Sequence, residues 1–512
     1  MKTAGSMQPH EKTQQDVIAF LADPASHGGA AVRVITTQIS HLFLTPDRAY
    51  KLKRPVTLPF LDYAPLDARA TACRHEMELN RRLAPGLYLG VVAVTREADG
   101  KLALDGSGEP VDWLIVMNRF PDEALASRMA ASGSFTLRHA AELADVIAAF
   151  HGSLAPDQTQ GSPDALKVAI TDLRQTLDHS RNRELAARGQ ALADRLLTLT
   201  EVKAARIDAR RTQGKVRLCH GDLHLGNIVM LDGIPRPFDG IEFSDAIATI
   251  DVLFDLAFAV MDLLAHDLPD HANLLLNRYL AATRDYDGLD LLPLYLGTRA
   301  LIRVMSELMT GADDRALRYL AVADAVLSPA VPCLLAVGGL SGSGKSTVAR
   351  ALAPNLGPGP GAILLRSDEI RKRMEGVAPE VKLPESAYAP AVTRAMFDRL
   401  EADARTTLKA GLSVILDATH MSPRGRARAE RIARDCGVTF QGLWLDVPDA
   451  RLESRINGRV HDASDATLTV LRSQQTADLG AIHWTRIDGA GTIAEVITSA
   501  RAALNVTIRR PA

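Results

Sequence analysis

The chain has 512 residues, of which 47% are hydrophobic and 23% charged, with a formal net charge of −2, ordinary values for a soluble globular protein of two to four domains. Its four cysteines, Cys73, Cys219, Cys333 and Cys436, are far apart with no CxxC pair, a pattern that suggests neither a disulfide framework nor a zinc site. The N-terminal stretch lacks a signal-like apolar core, and the most apolar run, Ile250 to Leu264, is short and broken by Asp251, Asp255 and Asp262; a cytoplasmic location with no membrane partner is expected.

Charge is uneven: 24 Lys and Arg meet 19 Asp and Glu from Val331 onward, a net +5, against −7 before it. In chain order, AVRVI (31–35), HLFL (41–44) and AYKLK (49–53) read as short strands. Leu66, Ala70, Cys73, Met77 and Leu83 recur at helical spacing, which predicts a helix ending before Pro85-Gly86. WLIVM (113–117) predicts a buried strand, and mainly helical patterns follow, among them Leu137 to His151 and Asp313 to Leu327. SPAVP (Ser328 to Pro332) reads as a linker, so the predicted domains are 1–328 and 329–512. From 333 strand and helix alternate, the pattern of a parallel sheet covered on both faces.

CHGDLHLGNIVM (Cys219 to Met230) carries Asp222 and Asn227 five apart, and Asp239 follows in RPFDGIEF. Phosphoryl transfer needs a carboxylate to take the proton of the attacking hydroxyl and oxygen ligands to hold magnesium against the phosphates. Asp222, Asn227 and Asp239 could supply these, with Lys51 or Lys53 paired to Glu76 as the phosphate cation. Strand alternation puts both lysines on one face; Lys51 is preferred. HGDLHLGNI resembles the catalytic loop of aminoglycoside phosphotransferase-like kinases. The resemblance implies a bilobal protein-kinase-like fold over residues 30–325, with Asp222 as base and Asn227 and Asp239 as metal ligands. The segment from AYKLKRP through EMELNRRL resembles a subfamily in which such a domain is fused to a P-loop domain. Residues 31–44 hold no glycine, a departure from the Gly-rich phosphate loop. His220, His224, Asp251 and Asp255 are expected to brace the loop.

GLSGSGKS (Gly339 to Ser346) fits G-x-x-x-x-G-K-[ST] in full, between strand CLLAV and helix STVARAL. Backbone N–H groups from Gly339, Ser341, Gly342, Ser343, Gly344 and Thr347 would cradle phosphates, with Lys345 on the β- and γ-phosphates and Ser346 on magnesium. Asp368 closes one strand with Arg371 three residues on, Asp417 closes another, and Arg455 and Arg459 share a helical face. The set resembles the 5′-kinase domain of phage polynucleotide kinase and its zeta-toxin and gluconate-kinase relatives, with an α/β/α three-layer fold. By that likeness Asp368 is the base, Asp417 lies near magnesium, Arg371, Thr419 and Arg426 touch substrate, and Arg455 and Arg459 belong to a lid.

The function expected is a two-module phosphotransferase using Mg·ATP, with GTP the alternative in one module. Its acceptors would be small molecules, nucleotides or 5′-hydroxyl ends, with long nucleic acid less favoured at 4% aromatic residues. The alternative is an ATP-binding regulator in which one module is a pseudokinase. DYDGLDLLP (Asp285 to Pro293) offers some of the acids that an aminoglycoside pocket would need.

Overall fold

A computed structural model describes residues 9–58, 61–378, 381–457 and 464–504. The chain forms two compact units: Met1–Phe135 with Ala149–Gly161 and Arg211–Asp255, and Thr136–Ala148 with Ser162–Arg210 and Leu256–Ala512. Helices before the SPAVP seam thus group with the residues after it.

In the first unit, strands β1 (Arg33–Thr36), β2 (Ser40–Leu44), β3 (Arg48–Lys53), β4 (Tyr88–Arg96), β5 (Leu102–Leu104) and β6 (Glu109–Asn118) form one sheet in the order β1-β2-β3-β6-β4-β5. All its pairings are antiparallel. Alternation along β3 sends Leu52 to a core with Val17, Phe43, Val94 and Leu114. Ala49 faces the other way, into a core with Cys73, Ile115 and Met117, and Lys51 and Lys53 share that face by period two. Helix α1 (Pro9–Ala22) supplies Val17 to the first core, and α2 (Leu66–Arg81) supplies Cys73 to the second. Beyond the sheet, β7 (Val216–Leu218) pairs antiparallel with β10 (Thr249–Asp251), and β8 (Ile228–Leu231) with β9 (Ile234–Pro237) forms a hairpin. The loop between β7 and β8 carries HGDLHLGN.

The second unit contains α3 (Pro269–Thr283), α4 (Leu292–Thr310) and α5 (Asp313–Leu327), then a sheet of β11 (Cys333–Gly338), β12 (Ile363–Arg366), β13 (Val414–Asp417), β14 (Thr439–Asp446) and β15 (Thr485–Asp488). Its order is β12-β13-β11-β14-β15, and every pairing is parallel. Every residue of β11 is buried, as expected of a central strand with both faces covered. The order reverses at β11, so the loop leaving its carboxyl end opens at the topological switch point, where such sheets bind ligands. No helix among the described residues is long and apolar enough to cross a membrane.

Edge strand β12 would leave a row of unpaired backbone groups, a known aggregation hazard. Two asparagines of α3, one turn apart, cover them. Asn273 Nδ2 donates to the carbonyls of Pro360 (2.7 Å) and Ala362 (3.0 Å). Asn277 Nδ2 donates to Ala362 O (3.2 Å), and Asn277 Oδ1 accepts Leu364 N–H (2.7 Å). Arg284 adds a bond to Arg373 O (2.8 Å).

Truncating Asn277 to alanine should therefore lower unfolding free energy by about 1–3 kcal/mol, the cost of orphaning partly buried backbone groups. A fragment of residues 329–512, with its edge uncovered, should sediment as aggregates while the full chain does not. Denaturant titration and analytical ultracentrifugation read the two effects; a soluble, monomeric fragment would refute the clamp's importance.

Candidate functional site

Each unit assembles one cluster of candidate site residues. In the first, Glu76 of α2 is fully buried and its two carboxylate oxygens are divided between the two lysines of β3: Lys51 Nζ lies 2.8 Å from Oε1, and Lys53 Nζ bonds Oε2. Lys51 also pairs with Asp239, and Lys53 with Glu242. The two lysines thus differ in their outer partners: among the described residues Asp239 pairs with Lys51 and Glu242 with Lys53. Burial alone would depress the Lys51 pKa, but Asp239, Glu76 and Glu242 hold it well above the ordinary lysine value. Burial likewise favours the neutral form of Glu242, yet Lys53 and Lys51 bring its pKa down to about 2. Such pairing is what makes four buried charges tolerable.

The catalytic-type loop hangs from another buried carboxylate. Asp255 accepts the N–H groups of His220 (3.2 Å) and Gly221 (2.8 Å) and contacts His151 Nε2 (3.0 Å). His151, Cys219 and Asp255 lie close enough to hold a metal ion, but Asp255 is engaged as the brace of this loop, and Cys219 Sγ donates to Ile250 O (3.6 Å). His220 contacts Phe238 O through Nε2 (3.0 Å) and accepts Asp222 N–H at Nδ1 (3.3 Å), and burial lowers its pKa, so it is a neutral Nε2–H tautomer. His224 Nδ1 accepts Gly226 N–H (3.0 Å). Both histidines brace the loop, whereas the bond of Asp251 is local, from Leu253 N–H (2.8 Å) at the start of the following helix.

Asp222 and Asn227 come together: Asn227 Nδ2 donates to Asp222 Oδ2 (2.8 Å) and to Asp222 O (3.1 Å). With its amide nitrogen spent there, Asn227 has its oxygen to offer a cation. Asp239 adopts φ +59°, a left-handed conformation rare outside glycine. Tyr88 OH accepts its N–H (3.2 Å), and Asn80 Oδ1 accepts that of Gly240 (2.9 Å). Side chains of Asp222 and Asp239 stay 37% and 41% exposed, open to a ligand in a loop that is otherwise pinned. The donor set of carboxylate and amide oxygens suits magnesium.

In the second unit the loop after β11 leads into α6 (Lys345–Leu352). Gly339 and Gly342 have φ of +142° and +87°; a Cβ on Gly339 would meet Leu445 O at 2.9 Å, and one on Gly342 would meet Leu452 O at 3.0 Å. Only glycine threads this turn. Gly344 (φ +91°) caps α6, while Thr347 follows Ser346 within it. Ser346 Oγ donates to Asp417 Oδ2 (2.5 Å) at the end of β13, the pairing that a magnesium site beside a P-loop calls for. Ser343 Oγ is buried without a hydrogen-bond partner, an orphan that a phosphate oxygen would satisfy. The residues present therefore fit a nucleotide phosphate and its metal. Lys345 Nζ donates to Leu340 O (2.8 Å), and Gln474 accepts Ser341 N–H (2.8 Å).

Asp368 lies in the first turn of α7 (Ser367–Met374), directly after β12. Its pKa is raised by burial and by neighbouring Asp417, against Arg366 and Lys345, a bias useful in a general base. Arg371 donates to Ala387 O (2.7 Å) and Thr393 Oγ1 (3.2 Å) and stacks over Tyr388. Arg455 reaches the loop at Ser343 O (3.3 Å) and also bonds Gly489 O (3.0 Å), just past β15. Arg459 lies outside the described residues. Thr419 is half-buried and meets the loop through its backbone oxygen, which accepts Gly339 N–H (3.2 Å).

Arg426 departs from the substrate-contact expectation. It is buried, and it donates to the carbonyls of His420, Met421, Leu479 and Ala481 at 2.6–3.0 Å, so it ties two loops together. Arg366, Gln474, Tyr63 and Glu242 escaped the sequence reading. Arg366 bonds Asp417 Oδ2 (3.1 Å) and Ser346 Oγ (3.1 Å) and pairs with Glu369; it stands one residue before SD in a strand-end motif, the only signal available. The acids of DYDGLDLLP are also spoken for: Asp285 forms a two-pronged pair with Arg210 (2.8 Å each), and Asp290 meets Lys203 (3.0 Å) and Arg206 (3.2 Å). They are neutralised by bases of the same unit.

A family model described as "Phosphotransferase enzyme family" matches residues 30–292, and one described as "AAA domain" matches 334–477. Uncharacterized proteins of Mycobacterium tuberculosis and Mycobacterium bovis are 31% identical over 482 residues, covering 90% of this chain and 93% of theirs. Among solved structures, a choline/ethanolamine kinase family protein from Mesorhizobium loti is 14% identical, covering 62% of this chain and 95% of its own, with a TM-score of 0.38. A gluconokinase from Sinorhizobium meliloti is 22% identical, covering 34% of this chain and 91% of its own, with a TM-score of 0.24.

Removing the brace tests the first cluster. Asp255→Ala should destabilise the protein by about 3–5 kcal/mol, the scale for breaking a buried charged network, as measured by urea unfolding. A loss below 1 kcal/mol would mean that the loop is held by other contacts.

Proposed function

The chain belongs to the phosphotransferase enzyme family and is a kinase with a second, P-loop kinase-like domain; from that premise we propose that it carries two separate Mg·ATP-dependent sites, each phosphorylating a hydroxyl group. The observation that supports this reading is that each unit gathers carboxylates, a lysine and a neutral oxygen donor of the kinds that phosphoryl transfer uses: Asp222, Asn227, Asp239 and Lys51 in one, Ser346, Asp417, Asp368 and Lys345 in the other. When bound, Mg·ATP supplies the transferable γ-phosphoryl group and neutralises its charge. In the kinase-like site Asp222 takes the acceptor's proton, Asn227 and Asp239 hold the metal, and Lys51, oriented by Glu76, holds the phosphates. In the P-loop site the amides around Gly342 would cradle the phosphates with Lys345 beside them, and Ser346 and Asp417 would hold the metal. Asp368 takes the acceptor's proton there, and Arg455 steadies charge developing over the loop.

For the P-loop half the acceptor class we favour is a small hydroxylated metabolite or nucleotide, polynucleotide-kinase-like in chemistry. Arg371, stacked on Tyr388 beside Asp368, is the group proposed to hold an acceptor's anionic part. Pairing of the acids at 285–290 argues against a polycationic aminoglycoside as acceptor of the kinase-like half.

The decisive experiment presents labelled ATP, a metabolite extract and 5′-hydroxyl oligonucleotides to the wild type and to Lys345→Ala, Asp222→Ala and Asp368→Ala. Lys345→Ala and Asp368→Ala should erase one set of labelled products, and Asp222→Ala a different set. If Lys345→Ala removes every product and Asp222→Ala none, the two-site model fails and the kinase-like half is a regulator.

A pH profile separates the sites further. A base must be ionised to accept a proton, so raising the Asp368 pKa moves the acid limb of the P-loop reaction upward. With the other site silenced by Asp222→Ala, activity should begin to fall at a pH above about 4, the ordinary aspartate value. A limb at or below that value would count against Asp368 as the base.

A further inference from the structure

Lys53 and Glu242 have no part in the phosphoryl-transfer set, yet they lie at the centre of its buried charge. Residues two apart on a strand stand roughly 6.5–7 Å apart, so β3 offers two ammonium groups in a row on one face. The loop after β9 answers with two carboxylates three residues apart, Asp239 for Lys51 and Glu242 for Lys53. Glu76 stands between, giving one oxygen to each lysine. A single lysine would satisfy Glu76, and burying a second one costs several kcal/mol per ion unless it is fully compensated. Compensation is provided: Lys53 is completely buried, Tyr63 OH donates to Glu242 Oε1 (2.8 Å), and the Lys53 ammonium lies 5.3 Å from the Tyr63 ring centroid.

The backbone of the same loop is held residue by residue. Gly240 N–H bonds Asn80, Ile241 N–H bonds His220 O (2.9 Å), and Glu242 O contacts His75 Nδ1 (2.8 Å). Asp239, at the loop's open end, is the partner of Lys51, the lysine that a nucleotide would recruit.

We propose that Lys53 is a positioning residue: with Glu242 it forms a permanent second rung that keeps Glu76 paired and Asp239 in place while Lys51 exchanges Asp239 for a phosphate. The proposal rests on the kinase reading of this site. In an arrangement with Lys51 alone, the same exchange would break the ion pair that joins this loop to β3.

The test uses the full-length Lys345→Ala protein, in which the P-loop site is silenced, and follows binding of AMP-PNP by calorimetry as Mg²⁺ is titrated, alongside thermal unfolding. Lys53→Met, Glu242→Gln and the double variant are compared with that parent. Each should raise the Mg²⁺ midpoint by roughly tenfold or more, the scale of losing a group that orients a metal ligand. The double variant, which removes one positive and one negative charge together, should melt closer to the parent than Lys53→Met does while keeping the raised midpoint. If Lys53→Met does not fold, Glu242→Gln and the double variant read the same rung. A lowered melting temperature with an unchanged Mg²⁺ midpoint would overturn the proposal and leave Lys53 a stabilising residue only. A parent that binds no AMP-PNP would overturn the kinase reading itself, and the ladder's role with it.

Discussion

Glu76, buried to zero exposure and split between two lysines, sets the terms for the first unit. A carboxylate taken out of water must be met by cations and hydrogen bonds or it will not stay ionised. Meeting that demand fixes β3 against α2 and, through the outer partners of the lysines, draws in the loop that carries Asp239 and Glu242. The same constraint recurs. Asp255 gathers His151 and two backbone amides, and Arg366 gathers Ser346, Asp417 and Glu369. Each cluster is thus shaped by a buried ion whose partners are also the proposed functional groups or stand beside them.

That shared economy of charge explains why rigidity and openness coexist in a few residues. The backbone from Gly240 to Glu242 and the amides at His220 and Gly221 are committed to partners, whereas Asp222 and Asp239 keep over a third of their side chains exposed. Preorganised groups aimed at a place where charge arrives are what phosphoryl transfer asks of a protein. In the P-loop the device is different: glycines let the backbone turn so closely that side chains are excluded, and Ser343 Oγ is left waiting for a partner.

What could be read in the sequence was whatever depends on short spacing. HGDLHLGN and GLSGSGKS bring their own geometry, and the strand alternation around AYKLK correctly put Lys51 and Lys53 on one face. For the same reason alternation could not choose between them: their difference lies in Asp239 and Glu242, nearly 190 residues away along the chain. Glu242 itself sat three residues past a recognised aspartate with nothing local to mark it. Arg426 misled in the opposite direction. An arginine after a strand-end aspartate resembles a phosphate contact, and only the carbonyls of residues 420, 421, 479 and 481 reveal that both its terminal nitrogens are engaged.

The asparagine pair of α3 was equally invisible, and it bears on why the P-loop domain is not simply appended. Strand β12 runs straight into Asp368, so the strand's position along the sheet edge sets where that carboxylate meets the loop. Among the described residues one side of β12 is paired to another strand; on the other, Asn273 and Asn277 bond Pro360 O, Ala362 O and Leu364 N–H. A helix preceding the SPAVP seam thereby finishes the sheet that follows it. An edge completed in this way cannot shift register without breaking bonds to α3, so the geometry around Asp368 is underwritten by the helical segment before it. The helical segment before the seam is for that reason part of the architecture of the second cluster as well as of the chain that leads to it.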